Sequence, residues 1–563
     1  MKSIISITCL MIGVTAATET LSNGVVLPDE WPPRPHLNYD PMPLPYLNEY
    51  RPPVIPIDNG RQLLVDSFLI EKSSLQRVAH QPRKLSENPV LKPETPLEMG
   101  NYGTPGASAK DGGMWWDPAD GIFKMWYEAG WLNKMAYATS ADGIHWERPE
   151  LDVVPGTNEI VPEIVADAST VWLDHFTDNP DERFKMFLRS PNSIPGSKER
   201  FNYGNCMVSA DGIHWSKPAR TGRCGDRSTV FYNPFRKVWV YSLRNAGNVA
   251  HSAIGRYRLY HESPDFMEGA KWDYDSLRFW CGADYLDRPD GYVNEKAQLY
   301  NLSATPYESI MLALPQVHLG PDNAVCKARG VPKITELKVA YSRDGFNWDR
   351  TDRDVFICAE RHPGAWDRGY VQSVGGICAI VGDQLWFYYI GFSGDESKRS
   401  NIYERNGMHD NGSTGIAVMR RDGFVSHNAT DTVGELITRP VMFSGSHLFV
   451  NAACADGGDL KVEILDEDGN VIPGYETAKC VPVTGDSTIA NVTWKGKKNL
   501  SALAGRPVKF RFVLSDGELY SFWVSPSEAG ESGGYNAAGG PGFTGGVDTE
   551  GIKAYNIARK YHL

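Results

Sequence analysis

Tyr137-Ala-Thr-Ser-Ala-Asp142-Gly-Ile-His-Trp146 is the stretch that decides the fold, because it recurs. It returns as Met207-Val-Ser-Ala-Asp211-Gly-Ile-His-Trp215 and as Ala340-Tyr-Ser-Arg-Asp344-Gly-Phe-Asn-Trp348. Looser copies stand at Tyr260-His-Glu-Ser-Pro-Asp265-Phe and Val418-Met-Arg-Arg-Asp422-Gly-Phe. The aspartates fall at 142, 211, 265, 344 and 422, in steps of 69, 54, 79 and 78 residues. Repetition at such a period marks supersecondary units packed side by side, here the blades of a propeller. Asp-Gly after a strand makes a tight turn, with glycine at positive φ and the Asp and Ser oxygens bonding turn amides. These Asp and Trp residues are read as structural, the Trp packing between neighbouring blades.

Outward from the turns lies a second repeated element, an apolar strand, a polar bend and another apolar strand. Blade one has Trp115-Trp-Asp117-Pro and Phe123-Lys-Met-Trp-Tyr127; blade two has Val171-Trp-Leu-Asp174 and Phe184-Lys-Met-Phe187. Blade three has Val230-Phe-Tyr-Asn233-Pro and Val238-Trp-Val-Tyr241, blade five Leu385-Trp-Phe-Tyr-Tyr389, and blade four only the degenerate Tyr307-Glu-Ser-Ile-Met-Leu-Ala-Leu314. These are propeller hairpins. From about 430 the strands alternate apolar with polar residues, as in Leu460-Lys-Val-Glu-Ile-Leu465 and Val508-Lys-Phe-Arg-Phe-Val513. The reading is therefore all-β: a five-bladed β-propeller over 100–430 followed by a C-terminal antiparallel β-sandwich over 431–527. A Pro-rich segment, 18–99, packs on the propeller, and a Gly-rich tail, 528–563, is expected to be flexible or to wrap loosely over a neighbour.

Composition agrees. A chain of 563 residues exceeds one hydrophobic core, and Gly 55, Pro 37, Trp 16 and Tyr 26 favour strands and turns. The net charge of -12 without a basic run argues against nucleic acid as a partner. Lys2, the apolar stretch Ile4 to Val14 and the small residues Thr15-Ala16-Ala17 read as a signal peptide over 1–17, hence a secreted or periplasmic protein. No later stretch has the length and apolarity of a membrane span. Beyond Cys9, the eight cysteines are widely spaced with no zinc-ligand pattern, so no metal or other cofactor is expected.

In a propeller the first strand of each blade lines the central channel, and functional residues recur near the strand starts. Stepping back seven residues from the bends at Asp117, Asp174 and Asn233 gives Lys110, Asp167 and Asp226, the last two in matching Asp-x-Ser-Thr-Val contexts. Blade one adds Asp111, blade four Glu308, and blade five Gln372 or Tyr370. Carboxylates converging on one mouth suit acid/base chemistry on a glycosidic bond, which assigns Asp111, Asp167, Asp226 and Glu308 as candidate catalytic residues. Glu308 is chosen because an ionised carboxylate among apolar residues needs a purpose or a partner. Lys110, Arg227, Tyr307 and Gln372 are candidate substrate-binding residues, Arg227 for a carboxylate or sulfate. An Asp before Ser-Thr is equally at home as a strand-start cap.

The Trp-x-Asp-Pro hairpin, the Ser-x-Asp-Gly-x-x-Trp series and the C-terminal strands together resemble the five-bladed glycoside hydrolases of family 32, more distantly family 43, and in particular the family-32-like secreted proteins of planctomycetes and related bacteria. The resemblance covers about Leu63 to Gly542. It implies a carbohydrate partner and hydrolysis of a furanoside or a decorated polysaccharide; a non-catalytic carbohydrate-binding propeller is the alternative. The family's Trp-Met-Asn-Asp-Pro-Asn-Gly, Arg-Asp-Pro and Glu-Cys motifs do not stand intact. Trp116-Asp117-Pro118 echoes the first, but Asp117 falls at a bend and is assigned no catalytic role.

Overall fold

The computed structural model describes residues 19–190, 203–245, 255–402, 405–430, 432–497, 499–561 and 563; the expected signal segment lies outside them. Five antiparallel sheets surround one axis. Blade 1 holds Ala107–Asp117, Ile122–Ala129 and Lys134–Ser140, and blade 2 Ser169–Leu173, Phe184–Ser190, Tyr203–Ser209 and Ala219–Arg223. Blade 3 holds Thr229–Asn233, Val238–Arg244, Tyr257–Ser263 and Arg278–Gly282. Blade 4 has Gln298–Glu308 and Ile310–Gly320, with Ile334–Leu337 and Ala340–Ser342 outside them. Blade 5 has Gly369–Val381, Gln384–Phe392 and Ser413–Arg420, and takes its outermost strand, Arg83–Lys84, from far upstream. The five first strands neighbour one another in order, and the fifth returns to the first. The ring is closed, and the five-bladed all-β propeller is as the repeat predicts.

Every copy of the repeated turn follows the third strand of its blade. Asp142 Oδ1 accepts from the amides of Ile144 and His145 at 2.8 Å, and Gly143 N–H donates to Ser140 Oγ at 2.8 Å; Asp211 and Asp344 repeat the pattern. The turns also lock blades together. Trp126 of blade 1 donates its indole N–H to Gly212 O of blade 2 at 2.7 Å, and Tyr388 of blade 5 donates to Gly143 O of blade 1 at 2.6 Å. Gly212 has φ +82°, and a Cβ there would meet the Trp126 ring at 2.5 Å. Gly212→Ala is therefore expected to lose about 2–4 kcal/mol, left-handed backbone and overpacking together, visible as a lower thermal midpoint. An unchanged midpoint would remove this lock from the account.

The C-terminal region differs from the expected sandwich in its membership. One sheet of eight strands runs through Asp486–Val492, the long His447–Leu465 and Lys509–Ser525, then Val425–Ala429 and Gln76–Ala79. Gln62–Leu63, Ile70–Ser73 and Gly434–Thr438 attach at its side. The two long strands pair on both sides of a register break at Cys454/Asp459 and enclose Leu448, Val462, Phe510, Phe512 and Phe522. Strands from the Pro-rich segment thus belong to this sheet and to blade 5.

The tail is not loose. Tyr535–Asn536 pairs with Tyr307 and Glu308 of blade 4. Trp116 N–H of blade 1 donates to Ala538 O at 2.9 Å, Ala538 N–H to Cys378 O of blade 5 at 3.0 Å, and Ile380 N–H to Gly539 O at 2.8 Å. The Tyr535 ring meets Phe176 of blade 2 at 5.9 Å and Phe235 of blade 3 at 4.8 Å. The tail therefore touches all five blades at their hairpin ends and plugs that end of the channel. Its glycines permit the approach: a Cβ on Gly540 would meet Ile380 O at 1.7 Å.

Candidate functional site

The end of the channel opposite the tail is built from a recurring backbone position. Lys110, Asp167 and Asp226 stand at the starts of the first strands of blades 1, 2 and 3. The residues that follow them, Asp111, Ala168 and Arg227, have φ of +57°, +79° and +58°, and Tyr370 of blade 5 has +52°. Left-handed backbone at a residue with a Cβ costs on the order of 1–3 kcal/mol and persists where the surroundings over-determine it, often at functional sites. Four such residues ring one level of the channel.

Opposite them, near the end of each second strand, stand Glu128, Arg189 and Arg244. Each blade thus carries an opposite-charge pair across its hairpin: Lys110 Nζ lies 3.3 Å from Glu128, Asp167 pairs with Arg189, and Asp226 with Arg244. Further contacts link neighbouring blades. Lys110 Nζ donates to Asp167 at 2.7 Å, Tyr300 of blade 4 donates to Asp226 at 2.8 Å, and the Tyr300 and Tyr370 hydroxyls lie 3.4 Å apart. Trp131 lies between the Lys110 ammonium, 4.0 Å from its ring, and His409, stacked on it at 3.7 Å.

Below this ring is a floor. Arg227 is ion-paired with Asp111 and donates to Gln316 at 2.9 Å, while Asn301 donates to Asp111 at 3.1 Å. Arg258 donates to the carbonyls of Arg227 and Tyr300, both at 2.9 Å. Burial pushes the Asp111 carboxyl up against the pull of Arg227. Burial likewise pushes up Glu128 against Lys110, and pushes down the Lys110 ammonium. Asp226 behaves differently. Burial raises it, but Arg244, Arg189, the Tyr300 hydroxyl and Lys333 outweigh burial and hold it well below the ordinary carboxylate range. With 28% of its side chain exposed, against 12% for Asp167, it is the most open carboxylate of the group.

Of the sequence-derived candidates, Lys110, Asp111, Asp167, Asp226 and Arg227 come together here. Gln372 is buried in the first strand of blade 5, next to Val371, whose carbonyl accepts from Gln316 at 3.2 Å, and among the described residues neither of its own amide atoms is hydrogen-bonded. Glu308 and Tyr307 do not join them, and their placement at the mouth is corrected. They sit at the hairpin bend of blade 4, roughly 20 Å down the strand from Asn301 at ~3.3 Å per residue. There Glu308 accepts from Arg421 at 2.8 Å and from Ser532 Oγ at 2.7 Å, within a buried cluster with Arg61, Asp422 and Asp548. Tyr307 donates to Asp422. The partner that a buried carboxylate requires is thus structural, and it braces the propeller against the sheet and tail.

Sequence reasoning missed Glu128, Arg189, Arg244, Tyr300 and Lys333. A signal for the first three existed: Glu128 and Arg244 stand six residues after the start of a second strand, at Ile122 and Val238, and Arg189 five after Phe184, and each breaks an apolar run with a charge. Among the described residues, no group of three or more His, Cys, Asp or Glu side chains is placed to hold a metal ion.

No known family profile matches the sequence. No curated protein matches it either. Among solved structures, the chain is similar to an N-acetylgalactosamine deacetylase from F. plautii in complex with blood group B trisaccharide, at 14% identity and TM-score 0.40, over 62% of this chain and 96% of that one. It is also similar to a β-fructofuranosidase from Schwanniomyces occidentalis, at 12% identity and TM-score 0.35, over 78% of this chain and 97% of that one. A family 43 arabinoxylan arabinofuranohydrolase from Bacillus subtilis is similar at 11% identity and TM-score 0.33, over 75% and 96%. Likeness at this level concerns the fold.

Proposed function

We propose that this chain is a carbohydrate-active propeller, an exported glycoside hydrolase acting on a furanoside or a decorated polysaccharide at the open channel mouth, akin to the family-32-like secreted proteins. The observation that carries the reading is the convergence of Asp167 and Asp226 from adjacent blades on one mouth, with Arg189 acting on both. Glycosidic hydrolysis uses two carboxyl groups flanking the bond. Asp226, ionised and the more open, is the base or nucleophile, and Asp167 is its partner. Tyr300 orients Asp226 through its hydroxyl. The plug at the far end makes the channel a blind recess, so the sugar enters and leaves by one mouth.

One observation favours a second reading, sugar binding without turnover. Each carboxylate at the mouth is matched by a cation, and the two carboxyls pushed upward, Asp111 and Glu128, are buried. A screen against fructans, arabinans and sulfated algal glycans separates the readings. Release of reducing sugar supports hydrolysis; binding without release supports the second reading; neither would remove carbohydrate as the partner.

A further inference from the structure

On the blade 4 side of Asp226, three nitrogen-bearing side chains gather around the Tyr300 ring. The Arg256 guanidinium lies 4.9 Å from its centroid, Lys333 Nζ 5.2 Å, and the His318 ring meets it edge-on at 5.9 Å. Lys333 Nζ also lies 4.4 Å from the Tyr370 centroid. Lys333 is 1% exposed; its ammonium lies against these ring faces and feels the attraction of the Asp226 charge, but among the described residues it makes no hydrogen bond or ion pair. His318 is 1% exposed, and among the described residues neither ring nitrogen has a hydrogen-bond partner beyond its own backbone. Arg256 donates to a neutral acceptor, Gln298 Oε1, at 2.8 Å. The carboxylate nearest in influence, Asp226, is already engaged by Arg244 and Tyr300.

Burying an ammonium without a contacting anion is costly, and setting it near a guanidinium adds repulsion. Burial and the Arg256 charge bring the Lys333 ammonium down to about 7, and Arg256 and Lys333 add to burial in pushing His318 down. Point charge, planar fork and ring nitrogen gathered around one ring are the kinds of group that hold a carboxylate or an oxyanion ester.

We propose that Lys333, Arg256 and His318 form a subsite for an anionic substituent on the sugar, a carboxylate or a sulfate ester, beside Asp226. The proposal rests on reading the mouth as a sugar site, and names the substrate class as an acidic glycan. Lys333 contributes charge, Arg256 the fork, and His318 a directional hydrogen bond, while the Tyr300 and Tyr370 rings fix the Lys333 ammonium.

The test uses the full chain with trigalacturonate, a sulfated galactose oligosaccharide and neutral arabinotriose in titration calorimetry. Sodium glucuronate and sodium sulfate serve as small-anion probes in thermal-shift assays. An acidic oligosaccharide should bind at least about tenfold more tightly than the neutral one, and added salt should weaken only the acidic probe. Lys333→Met and Arg256→Gln should each lower acidic affinity by about tenfold and leave the neutral probe within about twofold. The carboxylated and sulfated arms identify which anion the subsite takes. Neutral binding without acidic preference, or variants that keep full acidic affinity, overturns the subsite and leaves the sugar reading standing. Failure of all oligosaccharides, with small anions stabilising wild type but not Lys333→Met, overturns the sugar reading and leaves the subsite. Should Lys333→Met not fold, Arg256→Gln and the salt dependence of wild type decide.

Discussion

Asp226→Asn is expected to lower turnover by about 10²–10⁴-fold while substrate affinity changes only a few-fold. Asn keeps the size of the side chain and the acceptor for the Tyr300 hydroxyl, so the pocket keeps its shape, but the negative charge that four neighbours stabilise is gone. The check is kcat on whichever glycan the screen shows to be cleaved, with affinity from calorimetry and the fold from circular dichroism. Full activity in the variant would take Asp226 out of the chemistry. The pH profile gives a second reading of the same group. Its folded value is depressed below 3.8, so the carboxylate form persists above that value, and the acid limb it causes lies below pH 3.8. Its contribution to stability has the same sign: present above the unfolded carboxyl's pKa, and lost as pH falls through the lower folded one. An acid limb close to neutrality would point to a different group.

Deleting residues 530–563 is expected to cost several kcal/mol and to leave a chain that is unfolded or melts far below the intact protein. The deletion strips partners from the N–H groups of Trp116 and Ile380 and from the carbonyls of Cys378 and Pro306, all at the hairpin end of the ring. It also removes Ser532, which donates to Glu308, and Asp548, which lies 3.6 Å from Arg421. Each buried polar group left unsatisfied costs about 1–3 kcal/mol, and a domain's whole stability is about 5–15 kcal/mol. Phe543→Ala is the gentler companion, expected to cost about 3–5 kcal/mol because Phe543 is buried against the ends of blades 4 and 5. Thermal melts and circular dichroism decide; a truncated chain that melts like the intact one would remove the plug from the account of stability.

The propeller was legible because its turn is local chemistry repeated. Ser-x-Asp-Gly carries its own hydrogen bonds wherever it stands, so the copies mark the blades without knowledge of their packing. Lys110, Asp167 and Asp226 were legible for the same reason, since a fixed step from a fixed bend finds the same level in each blade. Glu308 was misplaced because blade 4 lacks the Asp or Asn bend that sets the count; Glu308 itself occupies the bend, with φ +50°. Its need for a partner was read correctly, but Arg61, 247 residues upstream, is not a neighbour that spacing can suggest. The tail was read from its glycines as flexible or wrapped loosely over a neighbour; it does wrap over the blades, but closely, because those glycines let backbone lie against backbone. Arg256, His318 and Lys333 follow no repeat and meet only through the packing of blades 3 and 4.

The plug also has a consequence for the order in which the protein is made. A ribosome releases this chain from residue 1, yet Arg83–Lys84 must await Ala417 and Val418 to complete blade 5, and the ring's hairpin ends must await Tyr535 to Gly540. A nascent chain that has not reached Gly540 lacks these pairings, and unpaired strand ends promote association between chains. Closure of the ring's hairpin ends is therefore a late step that follows the synthesis of the tail.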